Sequence, residues 1–436
     1  MMQLVDLRGR RPSRAELIAL VPRPETDPAR AAAAAQALID EVRSGGEAAL
    51  LDQAARFDGV RPERVRVSGA ELDAAVAGLA APLREALETA IDRVRRASAL
   101  QVPAGGVTVL EDGAEVEQRW QPVSRVGLYV PGGKAVYPSS VVMNVVPAQV
   151  AGVGSIALAS PPQAGFGGAI HPTILAAAGL LGIEEVYAMG GAGAIGAFAY
   201  GVPGIGLEPV DLLTGPGNVF VAAAKRLVQG RVGIDSEAGP TEILVIADEA
   251  ADPELVVADL LSQAEHDELA AALLVTDSPS LAEAVTALLP ERAAATASAE
   301  RVRTALTGPQ SALVLVDDLD AAAAFSNAYA PEHLELMSRD PDALLALITD
   351  AGAIFLGATS PVSLGDYLAG SNHVLPTGGT ARFSSGLGAA TFLRSQQIVR
   401  YSRAALERSA GRIVALADEE GLPAHGEAVT ARFARD

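Results

Sequence analysis

Apolar positions recur at helical spacing, with charges between them, through residues 28–56 and 70–100, so the front of the chain is expected to be helical. Ser68, followed three residues later by Glu71, has the form of a capping box and predicts a helix start there. From about 107 the period shortens. Residues 107–110 and 115–120 alternate as strands do, and Val126–Val130 runs into Pro131, Gly132 and Gly133, a strand entering a glycine turn. Short apolar runs at 155–159, 185–189 and 210–213, separated by helical stretches, have the rhythm of parallel βαβ units. A second series lies at 243–247, 271–276, 311–316 and 353–356. The pattern therefore predicts an α/β protein with two sheet layers. Beyond about 382 the chain becomes arginine-rich and reads as helical, ending in a polar tail that can hardly form a core alone and is expected to pack on something else, such as a second subunit.

Composition narrows the chemistry. A chain of 436 residues has room for two to four domains and a sizeable core. Lys+Arg 33 against Asp+Glu 53 leaves a net charge of −20, which repels phosphate backbones and argues against nucleic acid as a partner. Lys134 and Lys225 are its only lysines. With no cysteine there is no disulfide, no thiolate-bound zinc and no thiol nucleophile, so any catalysis runs on nitrogen and oxygen groups. The N-terminus lacks the basic stretch and apolar run of a secretory signal, and the most apolar region, about 141–206, is interrupted by prolines, glycines and Glu184-Glu185. A cytoplasmic protein without a membrane span is expected.

Several segments could carry chemistry. Gly191-Ala-Gly193-Ala-Ile-Gly196 fits G-x-G-x-x-G after an apolar run; it reads equally as a dinucleotide-binding turn or as small residues packing a helix closely. Thr214-Gly-Pro-Gly-Asn218 is a second glycine turn where the next strand should end, a usual ligand position in open α/β sheets. The five histidines are His171, His266, His333, His373 and His425. Gln263 and His266, three apart in a helical pattern, could present oxygen and nitrogen to one metal ion, although a solvated helix face is the commoner outcome. Glu332 and His333 follow a proline and suit general acid–base work if both enter a cleft; a helix start with Glu near the dipole accounts for them equally well. Asp366 and His373 sit on a glycine-rich stretch, and His425 lies in the tail.

Taken in order, Tyr129-Val-Pro-Gly-Gly, Tyr137-Pro-Ser-Ser140, Gly215-Pro-Gly-Asn218, Ala238-Gly-Pro-Thr-Glu242, Leu261-Ser-Gln-Ala-Glu-His266, Ala330-Pro-Glu-His-Leu334, Gly365-Asp-Tyr367, Asn372-His-Val-Leu-Pro376 and Ala381-Arg-Phe-Ser-Ser-Gly386 resemble the histidinol dehydrogenase family across nearly the whole chain. The resemblance implies a homodimeric enzyme, with one Zn2+ per subunit, that oxidises L-histidinol to L-histidine with NAD, the last step of histidine biosynthesis. It implies zinc ligands at Gln263, His266 and Asp366, with His425 supplied by the partner subunit, and a catalytic pair at Glu332 and His333. Ser139, Thr241, His373 and Glu420 match substrate-contacting positions alongside the zinc ligands and Glu332; Tyr129, Gly193 and Asn218 match cofactor positions.

The implied fold is a pair of Rossmann-like parallel-sheet domains, one inserted in the other, with small helical N- and C-terminal segments. The expected boundaries are 1–27, 28–122 with 242–381, the inserted 123–241, and 382–436 packing on the partner. Two positions depart from the family pattern. Gly193 stands where the family commonly has Gln, which removes an amide expected to touch NAD and creates the G-x-G-x-x-G match; Thr241 stands where some members have Ser and keeps the hydroxyl. Oxidation of another primary alcohol on the same scaffold, or a zinc hydrolase in which Glu332 activates water without hydride transfer, are the competing functions.

Overall fold

Strand β1 (Gln3–Asp6) and helix α1 (Arg14–Leu20) open the chain, and a long helical stretch follows in α2 (Pro28–Phe57), α3 (Gly69–Ala77) and α4 (Ala81–Ala99). The Ser68–Glu71 capping box is formed at the start of α3, as its spacing predicted. The structure, a computed structural model, describes residues 2–24, 28–132 and 136–434; Gly133 and Lys134 lie outside the described residues.

After the hairpin β2 (Gly106–Glu111) and β3 (Ala114–Pro122), strands and helices alternate as β4 (Arg125–Tyr129), α5 (Pro138–Ala151), β5 (Ser155–Ser160), α6 (Pro172–Leu180), β6 (Glu185–Ala188), α7 (Gly191–Tyr200), β7 (Leu212–Thr214), α8 (Val219–Val228) and β8 (Gly233–Ile234). The last five of these strands pair in parallel in the order β6-β5-β4-β7-β8. The second series comprises β9 (Glu242–Ala247), α9 (Pro253–Ala264), β10 (Ala271–Thr276), α10 (Pro279–Ala294), α11 (Ala299–Thr307), β11 (Ala312–Leu315), α12 (Leu319–Tyr329), β12 (His333–Met337), α13 (Pro341–Leu345) and β13 (Ala353–Leu356). It forms a parallel sheet in the order β1-β11-β10-β9-β12-β13, with β1 crossing from the N-terminal segment to complete one edge. Strands β9 and β10 are buried along their whole length, as continuous Val/Ile/Leu/Ala runs between two helical layers must be. The chain closes with α14 (Val362–Tyr367), β14 (Leu393–Tyr401), α15 (Arg403–Glu419) and α16 (Pro423–Thr430). No described helix is long and apolar enough to cross a membrane.

Packing differs from the expected grouping in one respect. Residues 28–122 were assigned with 242–381, yet the buried faces of the front helices cover the other sheet. Ala31, Ala35, Ile39 and Val42 of α2 share a core with Ala157, Tyr187 and Phe198, while Leu72, Leu87, Ile91 and Val94 of α3 and α4 join Val126, Leu128 and Leu158. The periodicity gives each helix an apolar stripe and carries no information on which sheet receives it. The C-terminal segment holds a strand before its helices: β14 pairs antiparallel with β3, giving a three-stranded sheet in the order β14-β3-β2.

Candidate active site

Glu332 and His333 stand at the amino edge of the six-stranded sheet, where β12 begins, beside Thr241 and Glu242 at the start of β9. The approach to them is a tight turn. Ala330, the C-cap of α12, lies in the left-handed region at φ 51°, the only non-glycine residue to do so among the described residues, and Pro331 follows. The alternative of a helix start at Glu332 is thus replaced by a strand start.

Both side chains are buried and held by the Glu242 peptide. Glu332 Oε2 accepts hydrogen bonds from the Thr241 hydroxyl (2.6 Å) and the Glu242 N–H (2.9 Å). Burial pushes the Glu332 carboxyl up to about 8, against these two bonds, which pull it down. His333 Nδ1 lies 2.9 Å from the Glu242 carbonyl oxygen, which can only accept, so Nδ1 carries the proton. Nε2 is then the basic nitrogen, buried and without a partner in the protein. Burial holds the imidazole below its ordinary value, with the Asp366 charge opposing.

Gln263, in the last turn of α9, donates from Nε2 to Thr241 Oγ1 (2.7 Å), while its Oε1 is a buried acceptor with no partner. An orphaned buried amide oxygen is costly, and a cation is the kind of group that would satisfy it. His266 lies just beyond the helix end, and Asp366 in α14 is close enough to act electrostatically on His266, His333, His373 and Glu332. His373 spends both ring nitrogens inside the protein: Nδ1 donates to the Asp366 carbonyl (3.0 Å) and Nε2 meets Ser140 Oγ (3.1 Å). Ser140, Asn144 and Thr214 continue the chain, with Asn144 Nδ2 donating to the Ser140 carbonyl (2.8 Å) and Thr214 Oγ1 to Asn144 Oδ1 (2.7 Å). Asp366 and His373 are thereby tied to the carboxyl end of β7. Ser139 is half-buried at the start of α5; its neighbour Ser140, which was not singled out, makes the bond to His373.

The turn that follows Thr214 is linked to His373 through Asn144 and Ser140. Gly215, at φ 118°, passes so close to the Tyr129 carbonyl that any Cβ would overlap it, and only glycine fits. Beneath the turn the buried Lys225 pairs with Asp235; Lys225 Nζ donates to the Gly215 carbonyl (3.0 Å) and the Gly215 N–H to Asp235 (2.8 Å). Asn218 caps α8, its Oδ1 accepting from Phe220 and Val221, with the residue itself exposed. The Tyr129 hydroxyl is buried and accepts from the Gly191 N–H (3.2 Å). Gly193 faces protein: a Cβ there would overlap Gln53 Oε1 of α2, and one at Gly196 would press on Ile39. Of the two readings of G-x-G-x-x-G, close helix packing is the one these glycines perform.

Glu420 ends α15 and His425 lies in the first turn of α16, both exposed, and no hydrogen bond or ion pair recorded among the described residues joins either to the cluster. Among those residues no group of three or more His, Cys, Asp or Glu side chains is placed to hold a metal within one chain. Sequence reasoning passed over Glu242 and Arg23. Glu242 sits inside a quoted motif, whereas nothing local marks Arg23.

A carboxylate–imidazole pair with a bare basic nitrogen, near the unpartnered amide oxygen of Gln263 on a parallel α/β sheet, defines an α/β enzyme suited to proton transfer on a small-molecule substrate. The family model for histidinol dehydrogenase matches residues 21–433, and the chain belongs to that family. Histidinol dehydrogenase from Leifsonia xyli is 68% identical over 99% of each chain, and that from Mycobacterium tuberculosis 56% identical over 99% of this chain and 98% of its own. The crystal structure of histidinol dehydrogenase from Elizabethkingia anophelis superposes with a TM-score of 0.91 at 34% identity, covering 99% of this chain and 98% of that one.

Proposed function

We infer that the protein oxidises L-histidinol to L-histidine, through the aldehyde, as the final step of histidine biosynthesis, in the cytoplasm. The observation that carries this reading is the state of His333: its tautomer is fixed by the Glu242 carbonyl and Nε2 is left as an unpartnered base. When bound, NAD would supply the hydride acceptor for each of two oxidations, and zinc would supply a positive charge that anchors the polar end of the substrate. Gln263, His266 and Asp366 would hold the metal together with His425 of the partner subunit, an all-N/O set in keeping with the absence of cysteine. The unpartnered Oε1 of Gln263 supports that assignment.

His333 Nε2 takes the proton of the substrate hydroxyl as hydride departs. The ionised form of Glu332, favoured by its bonds from Thr241 and Glu242 against the burial that makes it a stronger base, takes a proton from the water that attacks the aldehyde, and His333 acts again as the hydrate is oxidised. Thr241 orients Glu332 and Gln263 at once through its single hydroxyl. Ser139, Thr241, His373 and Glu420 line the substrate in this proposal, with His373 holding the Asp366 loop through both ring nitrogens. The layer 123–241 is the proposed NAD domain, with Tyr129 and Asn218 near the cofactor. The enzyme is expected to form two reduced cofactors per histidinol, and chelation is expected to abolish the yield. One per histidinol would mean that it stops at the aldehyde, and a yield indifferent to chelator would remove zinc from the assignment. Glu332→Gln should stall single turnovers after the first hydride; equal loss in both half-reactions would break the division of labour.

A further inference from the structure

We propose that Glu242 and Arg23 are the positioning residues of the catalytic pair, Glu242 presenting its peptide to both members and Arg23 fixing Glu242 and the turn from which the pair emerges. This rests on Glu332 and His333 being the reacting groups.

The geometry is a closed bracket. One peptide unit on each side of Glu242 serves the pair: its N–H donates to Glu332 Oε2 (2.9 Å) and its carbonyl accepts from His333 Nδ1 (2.9 Å). The side chain of Glu242 is only 2% exposed and does not reach the reacting atoms. It is gripped by the Arg23 fork, Nε to Oε1 at 2.5 Å and Nη2 to Oε2 at 3.1 Å, and by the Gly378 N–H at 3.2 Å. The same Arg23 Nη2 donates to the Tyr329 carbonyl at 2.6 Å and reaches that of Ala330 at 3.5 Å, while the guanidinium lies 3.9 Å from the centre of the Tyr329 ring. It therefore ties β9 to the left-handed turn at Ala330 that launches Glu332 and His333. A planar, permanently charged fork is suited to several acceptors at once; an ammonium is not. The bracket thus draws on the N-terminal segment, β9, the end of α12 and the loop at 378, four parts of the chain that otherwise share no role.

The electrostatics give a readout that mere stability would not. Glu242 acts on both members of the pair, raising each. Replacing it by the isosteric amide leaves the Arg23 cation unbalanced, and this lowers the pKa of Glu332 and of His333 alike. The other charged or titratable groups acting on His333 or near it, Asp366, His266, His373 and Glu332 itself, are the same in every variant.

The test uses the zinc-loaded enzyme and four variants: Glu242→Gln, Arg23→Met, Arg23→Lys and the double Arg23→Met/Glu242→Gln. The acid limb of kcat/KM against pH is expected to move down by about one pH unit in Glu242→Gln and to return toward the wild-type position in the double variant. Arg23→Lys should keep the limb in place while kcat falls at least tenfold and KM for histidinol changes less than twofold. An unmoved limb in Glu242→Gln, or a double variant with the limb of that single variant, overturns the proposal. The His333 ring resonance, assigned by His333→Asn among only five histidines, titrates with the same displacement without any turnover. If the resonance moves and no histidinol is oxidised, the bracket stands and the assigned reaction falls; if the resonance is unmoved while histidinol is oxidised, the bracket falls alone.

Discussion

Gly193 shows how a residue's environment decides between readings that its sequence leaves open. The position sits in α7 beneath α2, where Gln53 is only 4% exposed and its amide donates to the Leu38 carbonyl and to Glu41. Gly193→Ala should therefore displace Gln53 from those bonds and lower stability by about 1–3 kcal/mol in thermal or denaturant unfolding. In a Gln53→Ala background the same substitution should cost much less. If the two losses simply add, the contact is not the reason for the glycine. The packing of Gly193 on α2 is separate from the expectation that the missing amide weakens NAD binding. The same scale separates what was legible. His333 and Glu332 stood out because histidine is scarce and a carboxylate adjoins it. Arg23 did not, because its bonds to Glu242, Tyr329 and Ala330 span sequence separations of 219, 306 and 307 and leave no local pattern.

Among the elements, β12 was one of the strands that the pattern concealed, since Glu335 interrupts its apolar run one strand in from the edge of the sheet. That carboxyl is fully buried, pushed up by burial and by the adjacent Asp259 of α9, and Asp259 is itself raised to about 6. Both Glu335 oxygens are buried without a hydrogen-bond partner, so burial beside Asp259 favours a proton kept on one of the two carboxyls. The pair lies between α9 and β12, the two elements that carry Gln263 and His333. The sign follows from linkage: a carboxyl whose folded value exceeds its unfolded one stabilises fully below the unfolded value and loses that contribution as pH rises through the folded value. Wild-type stability should fall from mildly acidic toward alkaline pH by up to about 1.4 kcal/mol per pH unit for the one shared proton. Glu335→Gln, which keeps a donor permanently, should flatten that decline in the thermal midpoint. An unchanged slope would mean that the two carboxyls do not share a proton. The βαβ rhythm was readable because each parallel strand is a short apolar run between helices. Where the front helices pack was not, because one apolar stripe fits either sheet.

At the scale of the molecule, the three-stranded sheet and the C-terminal helices stand apart from both α/β cores. Strand β2 is exposed throughout, with Val109 68% and Val399 of β14 64% exposed, an apolar area that a folded chain usually covers with a partner. Glu420 and His425 lie in this same part of the chain, and no hydrogen bond or ion pair among the described residues joins them to those they are proposed to serve. Nothing in the tail's composition pointed to a site, and only the family resemblance did. A shared site makes a sharp prediction about mixtures. Glu332→Gln and His425→Ala copies should each be nearly inactive alone. In a mixed dimer one site would carry both defects and the other neither, so random exchange of equal amounts should restore roughly a quarter of the wild-type activity. Recovery should follow the rate of subunit exchange and should vanish if the copies are cross-linked as homodimers before mixing. If mixing restores nothing while exchange of labelled subunits is observed, His425 serves its own chain's site, and the tail's exposure would need another partner.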